Sequence, residues 1–200
     1  MRTARMYLLL AVVGQSACGR TQLKPNAPEP GACPLPDKAA ASTAALDKTF
    51  DTGKPPLPPG LDCLRRPMGS YRKVSSPFMD VRYGDGPLPA SRHDGTDLPA
   101  PVGTDVLAPA AGTVTWTRAV APCEDAAVKV SFGEGWTYAT HHLSRVDVRE
   151  GEVVVAGQRL GKSGGAVGAP GSGPWTTGPH LHFSLTHQDD FVDAEKYFCP

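Results

Sequence analysis

Thr177-Gly178-Pro179-His180-Leu181-His182-Phe183-Ser184 is the stretch of this 200-residue chain from which its fold and chemistry are best read. As a β-strand, with side chains alternating between faces, it sets His180 and His182 side by side on one face. Leu181 and Phe183 then point to the other face and ask for a layer of core to cover them. Two readings of the histidine pair are open at this point: half-exposed residues on a sheet face, or groups that bind metal or move protons.

Working outward, the same texture recurs upstream. Residues 113–117 alternate Thr-Val-Thr-Trp-Thr, which predicts Val114 and Trp116 on one face. Residues 128–132 alternate again, residues 136–142 follow a Gly-Glu-Gly turn, and residues 152–160 mix a valine-rich run with a break at Gly157. Short alternating runs separated by Gly, Pro and Asp predict a mainly β fold, a compact antiparallel β-sheet core (split barrel or sandwich) with long loops. No long segment has a helical period, and no internal repeat is visible.

The chain ahead of this core has a different character. Arg2 and Arg5 precede an uncharged apolar run over residues 6–14, followed by Ser16, Ala17 and Cys18. That order predicts a signal peptide over residues 1–17, too short to span a bilayer as a mature helix. The Ser-Ala-Cys-Gly ending is similar to a lipobox, which makes Cys18 a candidate lipidation site and membrane anchor, with plain secretion as the alternative. Residues 18–60 read as a Pro-rich tether, interrupted at residues 37–48 by an alanine-rich stretch with Asp37 as a helix N-cap. The folded domain is placed at residues 61–200, about the size of one compact domain. With 20 basic and 20 acidic residues the net charge is zero, which argues against docking on nucleic acid.

Export places the cysteines in an oxidising compartment. With Cys18 lipidated, Cys33, Cys63, Cys123 and Cys199 form an even set that predicts two disulfides, with all three pairings open. None is in a Cys-x-x-Cys pair, so a thiolate metal site is not expected.

Five of the six histidines fall in three short segments. The first is Arg92-His93-Asp94-Gly95-Thr96-Asp97, where Gly95 and Pro99 disfavour a helix, so His93 and Asp97 must meet through a turn or bent strand. The second is Tyr138-Ala139-Thr140-His141-His142-Leu143-Ser144, and the third is the opening stretch. Neutral imidazole and carboxylate are both standard zinc ligands. The glycine-rich stretches 161–173 and 133–135 are expected as loops beside the site.

Together these segments resemble the lysostaphin-type (LytM-like, duplicated hybrid motif) zinc metalloendopeptidase family. Residues 93–97 with the following Ala-Pro-Val-Gly-Thr-Asp-Val-Leu-Ala-Pro-Ala-Ala-Gly-Thr-Val run are similar to its first motif region. Residues 138–144 resemble its Y-x-H-L-S segment, residues 150–163 its G-x-x-V run, and residues 177–183 its T-G-P-H-L-H-F motif. The resemblance covers about residues 76–198. It implies Zn2+ held by His93, Asp97 and His182, with a fourth position left to water, and catalytic roles for His142 and His180. Thr140 and His141 depart from the family pattern after Tyr-Ala, and a bulge there would put His141 in the catalytic place instead of His142. His187 lies outside every motif and is read as a surface residue. The implied activity is hydrolysis of peptide cross-links in bacterial peptidoglycan by a monomer exported to the envelope or periplasm. The alternatives are a catalytically inactive wall-associated activator and a zinc-binding module on the same fold. The second of these calls for a fourth protein ligand that the sequence does not display.

Overall fold

The computed structural model describes residues 49–69, 73–82 and 91–200. Among the described residues thirteen strands follow in chain order: β1 Phe50–Asp51, β2 Val81–Arg82, β3 Ser91–Arg92, β4 Thr96–Pro99, β5 Asp105–Leu107, β6 Gly112–Arg118 and β7 Ala127–Gly133. They continue with β8 Trp136–His141, β9 Leu143–Val146, β10 Val153–Val154, β11 Arg159–Ser163, β12 His180–His187 and β13 Asp190–Val192. One 3-10 turn, Ala194–Lys196, follows β13, capped by the Asp193 side chain accepting from Glu195 N.

The mainly β expectation holds. The large sheet runs β1-β13-β12-β8-β7-β6-β10, and β4 also pairs with β12. Smaller sheets, β5-β11-β9 and β2-β3, complete the fold, which is not a closed barrel. Every pairing between these strands is antiparallel except β1 with β13. Strand β12 is central: residues 180–183 pair with β4 and residues 185–187 with β13, while β8 lies along its other side.

The alternation read from the sequence governs what is buried. Trp136, Tyr138 and Thr140 of β8 turn into the core, as do Leu181, Phe183 and Leu185 of β12. Tyr138 and Phe183 stack with ring centroids 6.1 Å apart, and the Tyr138 hydroxyl donates to Ala110 O at 3.1 Å. Each of Leu181, Phe183 and Leu185 contributes roughly 1.5–3 kcal/mol by leaving water.

Three expectations are corrected. Val114 and Trp116 do not share a face, because the β6–β7 register slips between them, leaving Val114 buried and Trp116 exposed. A bulge adds one residue and so reverses the alternation beyond it. The 133–135 turn is not beside the site: it opens β8 at Trp136, opposite His187, whereas His141 closes that strand opposite His182. Five residue steps of strand, roughly 17 Å, separate the two ends. Part of the stretch read as tether belongs to the folded body, since β1 pairs with β13, Trp136 Nε1 donates to Pro56 O and the Tyr197 hydroxyl donates to Pro55 O.

Cys63 and Cys199 form a disulfide that ties residues 61–68 to the C-terminus, where Leu64 bridges to Phe198. Cys123 is disulfide-bonded as well. The expected signal peptide, Cys18, Cys33 and the expected helix at residues 37–48 lie outside the described residues.

Candidate metal centre

Strand pairing assembles the site. His182 faces Asp97 across β4 and His141 across β8 as Cα partners. His93 reaches the same point because residues 93–95 fold back over β12. Gly95 makes that possible: a Cβ there would lie 2.4 Å from Phe183 O and 2.8 Å from the His182 ring. On the outer side of β4, residues 75–80 hold the turn, with His93 N donating to Asp80 O, Met79 N to His93 O and Asp97 N to Ser76 O.

The structure brings together His93, Asp97 and His182. His93 Nε2 is 3.0 Å from His182 Nδ1 and 3.1 Å from Asp97 Oδ1, and His182 Nδ1 is 3.0 Å from Asp97 Oδ1. Ligand atoms about 2.0–2.1 Å from a tetrahedral zinc are about 3.3 Å apart, so this near-equilateral triangle has almost the dimensions of one face of such a site. His93 Nδ1 lies 2.9 Å from Pro77 O, which fixes the proton there and turns the Nε2 lone pair toward the triangle. Burial draws the His182 imidazole down to about 4 against the raising effect of the Asp97 hydrogen bond and the Asp94 charge, so the ring is neutral at pH 7. Two imidazole lone pairs and a carboxylate oxygen thus meet with too few protons to bridge them. A divalent cation fits that donor set.

Burial pushes the Asp97 carboxyl up, but the His182 and His93 imidazoles against it outweigh that and hold the group well below the usual carboxylate range. Asp94, which the sequence reading did not single out, also brings a carboxylate to this cluster: one ligand atom each of His93, Asp94 and His182 lie within 4.8 Å of one another. Its Oδ1 is 3.5 Å from His182 Nε2, the nitrogen turned away from Asp97. That places Asp94 behind the imidazole, in the position of an outer carboxylate that selects the tautomer.

His180 and His142 form a second pair beside the triangle, with ring centroids 4.8 Å apart. His180 Nδ1 is 2.7 Å from Gly178 O, so its proton is committed there, and Nε2 faces Asp97 Oδ1 at 3.6 Å. Thr176 braces this approach by donating to Gly165 O, and Gly164 bridges to His180. The glycine-rich 161–173 stretch therefore does border the site. The β8–β12 register runs without a slip through His141, so the bulge considered after Tyr138 is absent. The irregularity falls on His142 itself, which has φ +59° between β8 and β9. His141 is instead next to His182, ring centroids 5.3 Å apart. His187 lies half-buried against Trp136 at the far end of β12, centroids 4.6 Å apart.

Asp125 was missed by the sequence reading. Its Oδ2 is 2.6 Å from His141 Nδ1, and its Oδ1 accepts from the His142 backbone N at 2.8 Å. The signal lay in the hairpin: pairing Val128 with Thr140 and counting back leads to Asp125 beside the two histidines.

Residues 91–194 match the sequence profile described as Peptidase family M23, which is more than half of the chain. The chain is 33% identical over 136 residues to the peptidoglycan DD-endopeptidase ShyA of Vibrio cholerae, covering 68% of this chain and 30% of that protein. It is 36% identical over 91 residues to protease LasA of Pseudomonas aeruginosa, covering 45% of this chain and 20% of LasA. The matched region is thus under a third of either relative. Among solved structures, a zinc-containing peptidase from Vibrio cholerae superposes with a TM-score of 0.56 at 27% identity, covering 69% of this chain and 41% of that one.

Proposed function

Because the chain belongs to peptidase family M23, we propose that it is a zinc metalloendopeptidase that hydrolyses peptide cross-links of bacterial peptidoglycan. The observation that carries this reading is the triangle of His93 Nε2, Asp97 Oδ1 and His182 Nδ1, with sides of 3.0–3.1 Å. These three side chains are the metal ligands, and His142 and His180 are the catalytic histidines. The substrate class is supported by the relative ShyA, a peptidoglycan DD-endopeptidase.

Zinc held there supplies Lewis acidity, bringing a water toward a pKa of about 7 and polarising the scissile carbonyl. The chain's own residues supply the rest. With Nδ1–H committed to Gly178 O, His180 presents Nε2 as a proton acceptor facing the centre. His142, packed ring to ring with His180, shares proton transfer and donates a hydrogen bond to the developing oxyanion. The Asp94 carboxylate, 3.5 Å from His182 Nε2, favours the proton on that nitrogen and leaves Nδ1 for the centre. His142 is favoured over His141 because its ring packs on His180, while His141 is engaged with Asp125.

The proposal extends to export: residues 1–17 as a signal peptide, Cys18 as a lipid anchor in the envelope, a Pro-rich linker, and a peptidase domain that acts as a monomer. The test is mass analysis of muropeptides released from purified peptidoglycan by the full chain. Wild type releases cross-link fragments, His180→Ala keeps zinc but releases none, and His182→Ala loses both. Zinc bound by wild type with no fragments released would instead favour a non-catalytic wall-binding role.

A further inference from the structure

We propose that Asp125 is a positioning residue for the reaction: its carboxylate grips the His141–His142 turn and so holds the His142 ring against His180. The inference rests on the hydrolase reading above, but its geometry stands by itself. Both carboxylate oxygens are used, Oδ2 by His141 Nδ1 at 2.6 Å and Oδ1 by the His142 backbone N at 2.8 Å. Oδ1 is also 3.2 Å from His142 Nδ1, although out of hydrogen-bonding alignment.

The turn needs such a grip. His142 has φ +59°, a left-handed conformation that is strained for a residue with a Cβ and persists only where its surroundings impose it. This kink directs the His142 ring to His180 while His141, one residue earlier, stays in register opposite His182. Without an acceptor for its backbone N–H, the kinked residue would also carry an unsatisfied donor close to the core.

Asp125 is itself rigidly mounted. It bridges to Gly171 and Ser172, Ala126 N donates to Gly171 O, Gly173 N to Glu124 O, and Leu143 N to Ala126 O. Cys123, two residues away, is disulfide-bonded. The loop between β6 and β7 is therefore tied both to the glycine-rich loop that borders the site and to the strand that follows His142. Burial pushes the Asp125 carboxyl up, but the His141 and His142 side chains beside it outweigh that and hold it well below the usual carboxylate range.

The experiment compares wild type with Asp125→Ala and Asp125→Asn in the full zinc-loaded chain. Activity on peptidoglycan is split into kcat and KM, zinc is counted, and the His141 tautomer is read from long-range nitrogen–proton NMR correlations. Asp125→Ala is expected to lower kcat by on the order of tenfold to a hundredfold with KM and zinc content unchanged. Asp125→Asn can still accept from the His142 N–H, so it recovers part of kcat, but its amide cannot hold the His141 Nδ1 proton as the carboxylate does. In both variants the His141 proton leaves Nδ1. An unchanged His141 tautomer in Asp125→Asn, or wild-type kcat in Asp125→Ala, overturns the proposal. If Asp125→Ala does not fold, the asparagine variant alone decides through the same two readouts. If wild type releases no fragments, the hydrolase reading fails, and the NMR result still decides whether Asp125 holds the turn.

Discussion

Asp97 and His182 sit opposite one another as Cα partners on β4 and β12, and the register that pairs their backbones also puts Oδ1 3.0 Å from Nδ1. The metal-competent geometry is thus a consequence of strand pairing, as is the burial of Leu98 and Leu181 one step along. Asp97→Asn keeps the shape but removes the negative charge that Asp97 brings to the triangle. Chelator competition is expected to show zinc affinity lowered on the order of a hundredfold or more, with the fold intact by circular dichroism. Unchanged affinity would remove Asp97 from the ligand set.

His141 and His142 are separable by substitution. His142→Ala removes the ring that packs on His180 and is expected to cost on the order of a hundredfold or more in kcat with zinc retained. His141→Ala leaves that ring in place and is expected to cost less. Steady-state kinetics on a cross-linked peptide checks the order; a larger loss for His141→Ala would exchange the two roles.

Gly95 holds the fold-back of His93 through close approach. In Gly95→Ala the methyl would meet Phe183 O at 2.4 Å and the His182 ring at 2.8 Å, so β4 must move off β12. The expected cost is about 1–3 kcal/mol of stability, read by denaturant unfolding, together with weaker zinc binding. A variant as stable as wild type would show that the strands have room.

The metal-free protein should lose stability in acid through His182. Its folded pKa of about 4 lies below the ordinary 6.5, so between these values the unfolded chain binds the extra proton. Stability is therefore full above pH 6.5 and falls as pH drops toward 4, at up to about 1.4 kcal/mol per pH unit from this group. Melting temperatures across that window, compared with His182→Ala, check the slope; equal slopes would assign it to other groups.

The Cys63–Cys199 disulfide closes a loop with a sequence separation of 136 residues. Replacing both cysteines by alanine is expected to cost about 2–5 kcal/mol, seen as a lower melting temperature. No change would mean that the Leu64 and Phe198 packing holds the two ends together without it.

Much of this was legible in the sequence because it depends on period-two alternation. The Leu181/Phe183 and His180/His182 division needs only the strand rule, and the predicted strands at 128–132 and 136–142 fall within a residue of β7 and β8. What was not legible depends on register and three-dimensional approach. A bulge at Thr115 cannot be seen in Thr-Val-Thr-Trp-Thr, which alternates perfectly. Nor did proline-rich composition reveal that Pro55 and Pro56 carbonyls accept from Tyr197 and Trp136, since prolines that break helices can still dock as extended chain. Asp125 and Asp94 act through neighbours set by pairing, so their residue types alone did not distinguish them from surface acids.

Anomalous diffraction at the zinc edge, on crystals grown with one equivalent of zinc, tests the central claim most directly. The account predicts a single peak shared by His93 Nε2, Asp97 Oδ1 and His182 Nδ1, with no fourth protein ligand. A peak that excludes Asp97, or one closed by a fourth side chain such as Asp94, would contradict it.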